Sequence, residues 1–150
     1  MPNGRMNCFV DTNVLVYAAD QSDPEKQAQA RTWLLALVDR EALVLSPQSI
    51  NEFYRVSRRR FPSVARATLL QTCEELLSWC TAPLDVRTIR MAWMIEEATG
   101  YQWYDCLLLA AADLAGCRFF LSEDLQTDRQ IGSLTILSPF TTSPNDLATG

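Results

Sequence analysis

The sequence predicts a single α/β domain with a mainly parallel sheet covered by helices on both faces. Three observations carry this. The chain is 150 residues long, the size of one core. Short apolar runs of strand length alternate with longer stretches whose apolar residues recur at helical spacing. Cap signals also open several of those longer stretches: Asp23-Pro24, Ser46-Pro47 and Asp85. A hydrophobic content of 48% with 21% charged residues excludes a disordered chain and a coiled coil.

The elements follow in order. Asn7 to Val10 reads as a strand ending at Asp11, and Thr12 to Ala19 as the start of a helix. Asp23 caps a helix from Pro24 to about Arg40, with Ala30, Trp33, Leu34, Leu37 and Val38 on its apolar face. Ala42 to Leu45 is the next strand, and Ser46-Pro47 opens a helix to about Arg60. Phe61-Pro62-Ser63 breaks it, and Ser63 is expected to cap a helix reaching about Cys80. Pro83 to Val86 reads as a strand or a turn. Asp85 then caps a helix to Thr99, stopped by Gly100. A further helix spans about Trp103 to Ala115 before Gly116, and Cys117 to Leu121 and Leu134 to Leu137 are strands. The tail after Pro139 is polar and expected to be loose, so the division is a domain at 1–140 and a tail at 141–150.

Composition removes several chemistries. There is no histidine, which excludes Ser-His-Asp and Cys-His catalysis, paired-histidine nucleases and the usual zinc sites. The five cysteines are odd in number and lack C-x-x-C spacing. They read as small buried hydrophobes in a reducing compartment. No apolar run approaches the ~18 residues of a membrane span, and no secretory signal opens the chain, so a cytoplasmic location is expected. The four tryptophans sit among apolar residues at helical spacing and are expected in the core, with Trp103 bordering the site. Net charge is −5, unusual for a chain that grips nucleic acid through phosphates alone. The cations nevertheless cluster at Arg55, Arg58, Arg59 and Arg60, and Lys26 is the only lysine.

The acids are more telling. Asp11 ends the first strand, Glu52 lies in the second turn of the helix after the second strand, and Asp105 lies in the first turn of the late helix. Glu123 and Asp124 follow the Phe119–Leu121 strand directly. In a parallel sheet, strand carboxyl ends and the following helix starts share one edge, where ligands bind. Each acid alone has a structural reading: a cap for Asp11, a solvated partner of Arg55 or Arg59 for Glu52, a dipole partner for Asp105, a turn residue for Asp124. Their common rim favours function. Two carboxylates about 4 Å apart repel by ~1 to 4 kcal/mol, and a shared proton or a divalent cation is the usual remedy. Oxygen ligands without histidine or thiolate favour Mg2+ or Mn2+ over zinc. Arg55 and Arg59 lie three and seven positions after Glu52, on its helix face. With Arg58 they form a candidate phosphate-binding strip, the structural reading being a solvated face with local salt bridges.

These residues resemble the PIN-domain ribonucleases, in particular the VapC toxins of bacterial toxin–antitoxin pairs. The resemblance rests on Phe9-Val10-Asp11-Thr12-Asn13-Val14-Leu15-Val16-Tyr17, Ser49-Ile50-Asn51-Glu52-Phe53-Tyr54, the segment from Trp103 to Ala112, Leu121-Ser122-Glu123-Asp124-Leu125 and Ile136-Leu137-Ser138-Pro139-Phe140. The ordered set spans about residues 8 to 140. It implies a three-layer α/β/α fold around a mostly parallel, about five-stranded sheet. It also implies a Mg2+- or Mn2+-dependent endoribonuclease that leaves 5′-phosphate and 3′-hydroxyl ends, forms a homodimer and is inhibited by a cognate antitoxin. Asp11, Glu52, Asp105 and Asp124 match the acidic quartet, and Asn13 the polar residue that helps hold it. One segment departs from the pattern: Gln126-Thr127-Asp128-Arg129 stands where many relatives carry a tight glycine turn. Glu123 and Asp128 therefore stand as alternatives to Asp124, and a catalytically silent scaffold as the alternative function. A response-regulator receiver would need an acidic pair at the first strand and a lysine near the last. A haloacid-dehalogenase phosphatase would need Asp-x-Asp where this chain has Asp11-Thr12-Asn13.

Overall fold

The computed structural model describes residues 6–147. Its elements are β1 (Cys8–Val10), α1 (Thr12–Ala19), α2 (Pro24–Asp39), β2 (Leu43–Val44), α3 (Pro47–Arg60), α4 (Arg66–Leu77), α5 (Val86–Thr99), α6 (Trp103–Leu114), β3 (Phe119–Leu121), β4 (Gln130–Ile131) and β5 (Leu134–Leu137). The sheet order is β2-β1-β3-β5-β4. All pairings are parallel except that of β4 with β5.

Period-two alternation in the strands divides the core. Cys8, Val10, Leu43, Leu121 and Leu137 pack against α1 to α4. Phe9, Val44, Phe120, Leu134 and Ile136 face the other way, against α5 and α6. Phe9 and Phe120 stack across neighbouring strands with ring centroids 5.3 Å apart. The result is the expected three layers around a five-stranded sheet. All four buried cysteines, Cys8, Cys73, Cys106 and Cys117, are free, as is half-buried Cys80. Among the described residues no helix is long and apolar enough to cross a membrane.

Several local expectations are corrected. The helix after Phe61 begins at Arg66 behind Ala65, which makes no side-chain cap, so Ser63 lies outside it. Residues 83–85 form no strand but an irregular lead into α5, where Asp85 and Thr88 make a capping box. β4 was not expected. It forms a hairpin with β5, turned at Gly132 with φ +59°. The segment after Pro139 is ordered through Leu147. Trp33 Nε1 donates to the carbonyls of Pro139 and Thr142 at 3.0 and 3.1 Å. Arg40 donates to the Pro144 carbonyl, and Leu147 is buried. Residues 148–150 of the tail lie outside the described residues. Trp33 is core, but Trp93 is 59% exposed on α5, contrary to expectation.

Candidate active site

The parallel register builds the site. Val10 pairs with Leu121, so the residues that follow them, Asp11 and Ser122, emerge side by side at the sheet edge. The Asp11 N–H donates to the Leu121 carbonyl at 2.9 Å. Asp11 also caps α1: its Oδ1 accepts the Thr12 N–H at 2.7 Å, and its Oδ2 accepts the Ser122 hydroxyl at 2.7 Å. The structural reading of Asp11 as a cap therefore holds, and it leaves the carboxyl at the sheet edge.

Glu52 comes from α3, which Ser46 and Ser49 start with a capping box at the end of β2. Thr12 Oγ1 donates to Glu52 Oε2 at 2.8 Å, and Gln48 Nε2 to Oε1 at 3.3 Å. Asp124 follows β3, and Asn13 Nδ2 donates to its Oδ2 at 2.9 Å. Asp105 stands in the first turn of α6 and receives no hydrogen bond among the described residues. All four acids, with Asn13, line one open cleft of about 840 Å³.

The electrostatics are uncompensated at two positions. Burial pushes the Asp11 carboxyl up to about 7, with Asp105 and Glu52 adding like charge against the opposing bonds from Ser122 and Thr12. Burial pushes Asp105 up to about 6, with Glu52 and Asp124 contributing. Glu123 lines the same cleft in the opposite condition. Burial acts to raise it, but Lys26 Nζ and the Tyr17 hydroxyl, each at 2.6 Å, outweigh that and hold it below the usual range. Lys26 also sits 5.0 Å from the ring centroids of Tyr17 and Phe140.

The alternatives to Asp124 therefore differ in place. Glu123 is engaged by a cation. Asp128 does not line the cleft; its φ of +67° makes it the left-handed turn residue after β3, its N–H 2.7 Å from the Ile136 carbonyl. Aspartate tolerates that conformation, so it replaces the glycine turn, while Gly132 serves the β4–β5 hairpin. Of the arginines, Arg55, Arg59 and Arg60 line the cleft. Arg60 reaches Asp20 at 2.6 Å. Arg58 does not join the strip: it donates to the Tyr54 hydroxyl at 3.1 Å and lies over that ring.

Sequence reasoning missed Thr12, Gln48 and Ser122 as orienting donors, and Tyr17 and Lys26 as the brace on Glu123. A hydroxyl beside each strand-end acid was a usable signal for Thr12 and Ser122. Nothing local marked Lys26, which is 97 positions from its partner.

The donor set suits a divalent cation. It is all oxygen, it carries excess negative charge, and Asn13 Oδ1 is buried without a hydrogen-bond partner. Among the described residues no three side chains already form a compact ligand set.

Comparison with known proteins agrees with this architecture. No curated protein sequence matches the chain. Among solved structures, it is similar to a chain of VapBC2 from Rickettsia felis, a complex bound to a DNA fragment from its promoter. The TM-score is 0.56 at 13% identity, covering 89% of this chain and 98% of that one, a likeness of fold. The model of the PIN domain family matches residues 8–130, a span that holds β1 through β3, α1 through α6 and every acid of the cleft. The chain belongs to the PIN domain family.

Proposed function

We propose that this chain is a Mg2+- or Mn2+-dependent endoribonuclease of the VapC type, acting in the cytoplasm as the toxin of a toxin–antitoxin pair. One observation carries the reading: Asp11, Glu52, Asp105 and Asp124 line a single cleft, and two of them are pushed toward neutrality there. The fold likeness to a chain of VapBC2 supports an antitoxin partner, and the family resemblance supports a homodimer.

Asp11 and Asp105 would hold the cation, with Glu52 and Asp124 completing the set directly or through water. A bound divalent cation supplies Lewis acidity, neutralising phosphate charge and acidifying water. The chain's own residues do the rest. Ser122 and the Thr12 N–H fix the Asp11 carboxylate, Thr12 and Gln48 fix Glu52, and Asn13 fixes Asp124. Such preset orientation lowers the cost of assembling the site around RNA. Arg55 and Arg59 present planar two-pronged donors to RNA phosphates on the same wall as Glu52.

The test is cleavage of a labelled single-stranded RNA, with end-group analysis. Cleavage that stops in EDTA, returns with Mn2+ and leaves 5′-phosphate ends is the expected result. Full activity in chelator would overturn the cation reading. RNA or protein binding with no cleavage under any metal would make the domain a scaffold.

A further inference from the structure

The cleft has two walls, because α3 packs against one face of the sheet and α6 against the other. The α3 wall carries Arg55 and Arg59, and the α6 wall carries Gln102, Tyr104 and Asp105. The two aromatic residues that open α6 part company. Trp103, expected to border the site, packs against the core and does not line the cleft. Tyr104, about 100° further around the helix, is 57% exposed and does line it. Its condition differs from that of the other three tyrosines. Lys26 lies 5.0 Å from the Tyr17 ring, Arg58 5.9 Å from the Tyr54 ring and Arg129 5.1 Å from the Tyr101 ring. Each of those hydroxyls is hydrogen-bonded as well. Among the described residues Tyr104 has neither a cation over its ring nor a side-chain hydrogen bond.

The acids and arginines of the cleft act on charge, and every nucleotide presents the same phosphate charge to them. A base offers something else, a flat apolar face, and unpaired bases are held by stacking on aromatic side chains. Tyr104 directly precedes Asp105, with Cα atoms about 3.8 Å apart. A strand whose phosphate is held at Asp105 therefore brings an adjoining base to the ring. We propose that Tyr104 is the stacking platform for the base next to the scissile phosphate. The strand then runs with phosphates against Arg55 and Arg59 on the α3 wall and that base against α6. This proposal rests on the reading of the cleft as a ribonuclease site, and adds to it the side chain that holds a base. A base paired within a duplex presents no free face, so the platform takes an unpaired nucleotide.

Steady-state cleavage of a short labelled oligoribonucleotide in Mn2+ tests it, with circular dichroism checking the fold of each variant. Binding of the same oligonucleotide by Asp105→Asn, with and without Tyr104→Ala, is read by fluorescence anisotropy and needs no cleavage. Tyr104→Ala should lower kcat/KM and RNA affinity by about tenfold. Tyr104→Phe and Tyr104→Trp should keep both near the wild type, because the ring and not the hydroxyl makes the contact. An abasic nucleotide beside the scissile bond should cost the wild type as much, and Tyr104→Ala nothing further. Affinity that falls with Tyr104→Ala, in a chain that never cleaves, would uphold the platform and sink the ribonuclease reading. Cleavage and binding indifferent to Tyr104→Ala would overturn the platform alone and give the ring to a protein partner. Equal abasic penalties in the wild type and Tyr104→Ala would also overturn it, and RNA bound by neither form would overturn both readings.

Discussion

Glu123 and Asp124 are neighbours in the chain, and both line the cleft, yet they belong to different electrostatic regions. Glu123 is closed off by Lys26 and Tyr17, with both bonds at 2.6 Å and two aromatic rings flanking the ammonium. Asp124 faces Asp105, which no cation or hydrogen-bond donor among the described residues relieves. The fold therefore compensates an acid where it braces the loop after β3. It leaves repulsion standing where the acids share a rim. Uncompensated, partly buried carboxylates cost stability, and a site that keeps them is a functional candidate.

The largest expected effect comes from breaking the uncompensated side. Asp105→Asn should lower RNA cleavage by on the order of a hundredfold or more while the protein stays folded, because the side chain holds nothing else in place. Initial cleavage rates in Mn2+ check this. Retention of most activity would remove Asp105 from the site.

The same region sets a pH dependence. Asp11 and Asp105 are raised from an ordinary value of 3.8 to about 7 and about 6. Between pH 4 and 7 the folded state therefore binds protons that the unfolded state has released, so the metal-free fold should lose stability as pH rises through that window. Urea midpoints at pH 5 and pH 8, measured in EDTA, report it. Asp11→Asn should shrink the difference and leave the metal-free protein at least as stable at pH 8, since asparagine caps a helix as well as aspartate does. A large fall in its midpoint would show that the cap and the Ser122 bond outweigh the repulsion.

The two regions were not equally legible in the sequence. The four acids were readable because a parallel sheet brings strand ends and helix starts to one edge, so position along each element was enough. Helix starts at Pro24, Pro47 and Val86 were readable because Asp23, Ser46 and Asp85 act on their own next turn. What failed was long-range or weakly patterned. β4 is two residues long and half solvent-facing, too short for any period. The ordered tail is held by Trp33 and Arg40, more than a hundred positions upstream. Ser63 has cap chemistry, but α4 starts only at Arg66, beyond reach of that side chain. Arg58 shares a helix with Arg55 and Arg59, yet six positions after Glu52 it falls on another face, beside Tyr54.

Smaller effects sharpen the comparison. Replacing Arg55 and Arg59 together by Ala should weaken RNA binding and flatten the slope of log affinity against log salt. If both touch phosphates of a single strand, the change is about 1.4. An unchanged slope would place them outside the RNA path. On the compensated side, Lys26→Met should release Glu123 and cost a modest part of the cleavage rate and of the melting temperature. Lys26→Arg should retain most of both. Equal losses in the two variants would show that the brace depends on lysine packing rather than on charge.

The central claim is that the uncompensated acids await a divalent cation, and thermal melting at pH 7.5 with and without Mn2+ tests it without reference to RNA. A cation that binds only the folded state raises the midpoint, by an amount that grows with the logarithm of its concentration above the dissociation constant. The account expects a clear upward shift for the wild-type chain, the same shift for Lys26→Met, and almost none for Asp11→Asn or Asp105→Asn. An equal shift in all four proteins, or no shift in the wild type, would contradict it.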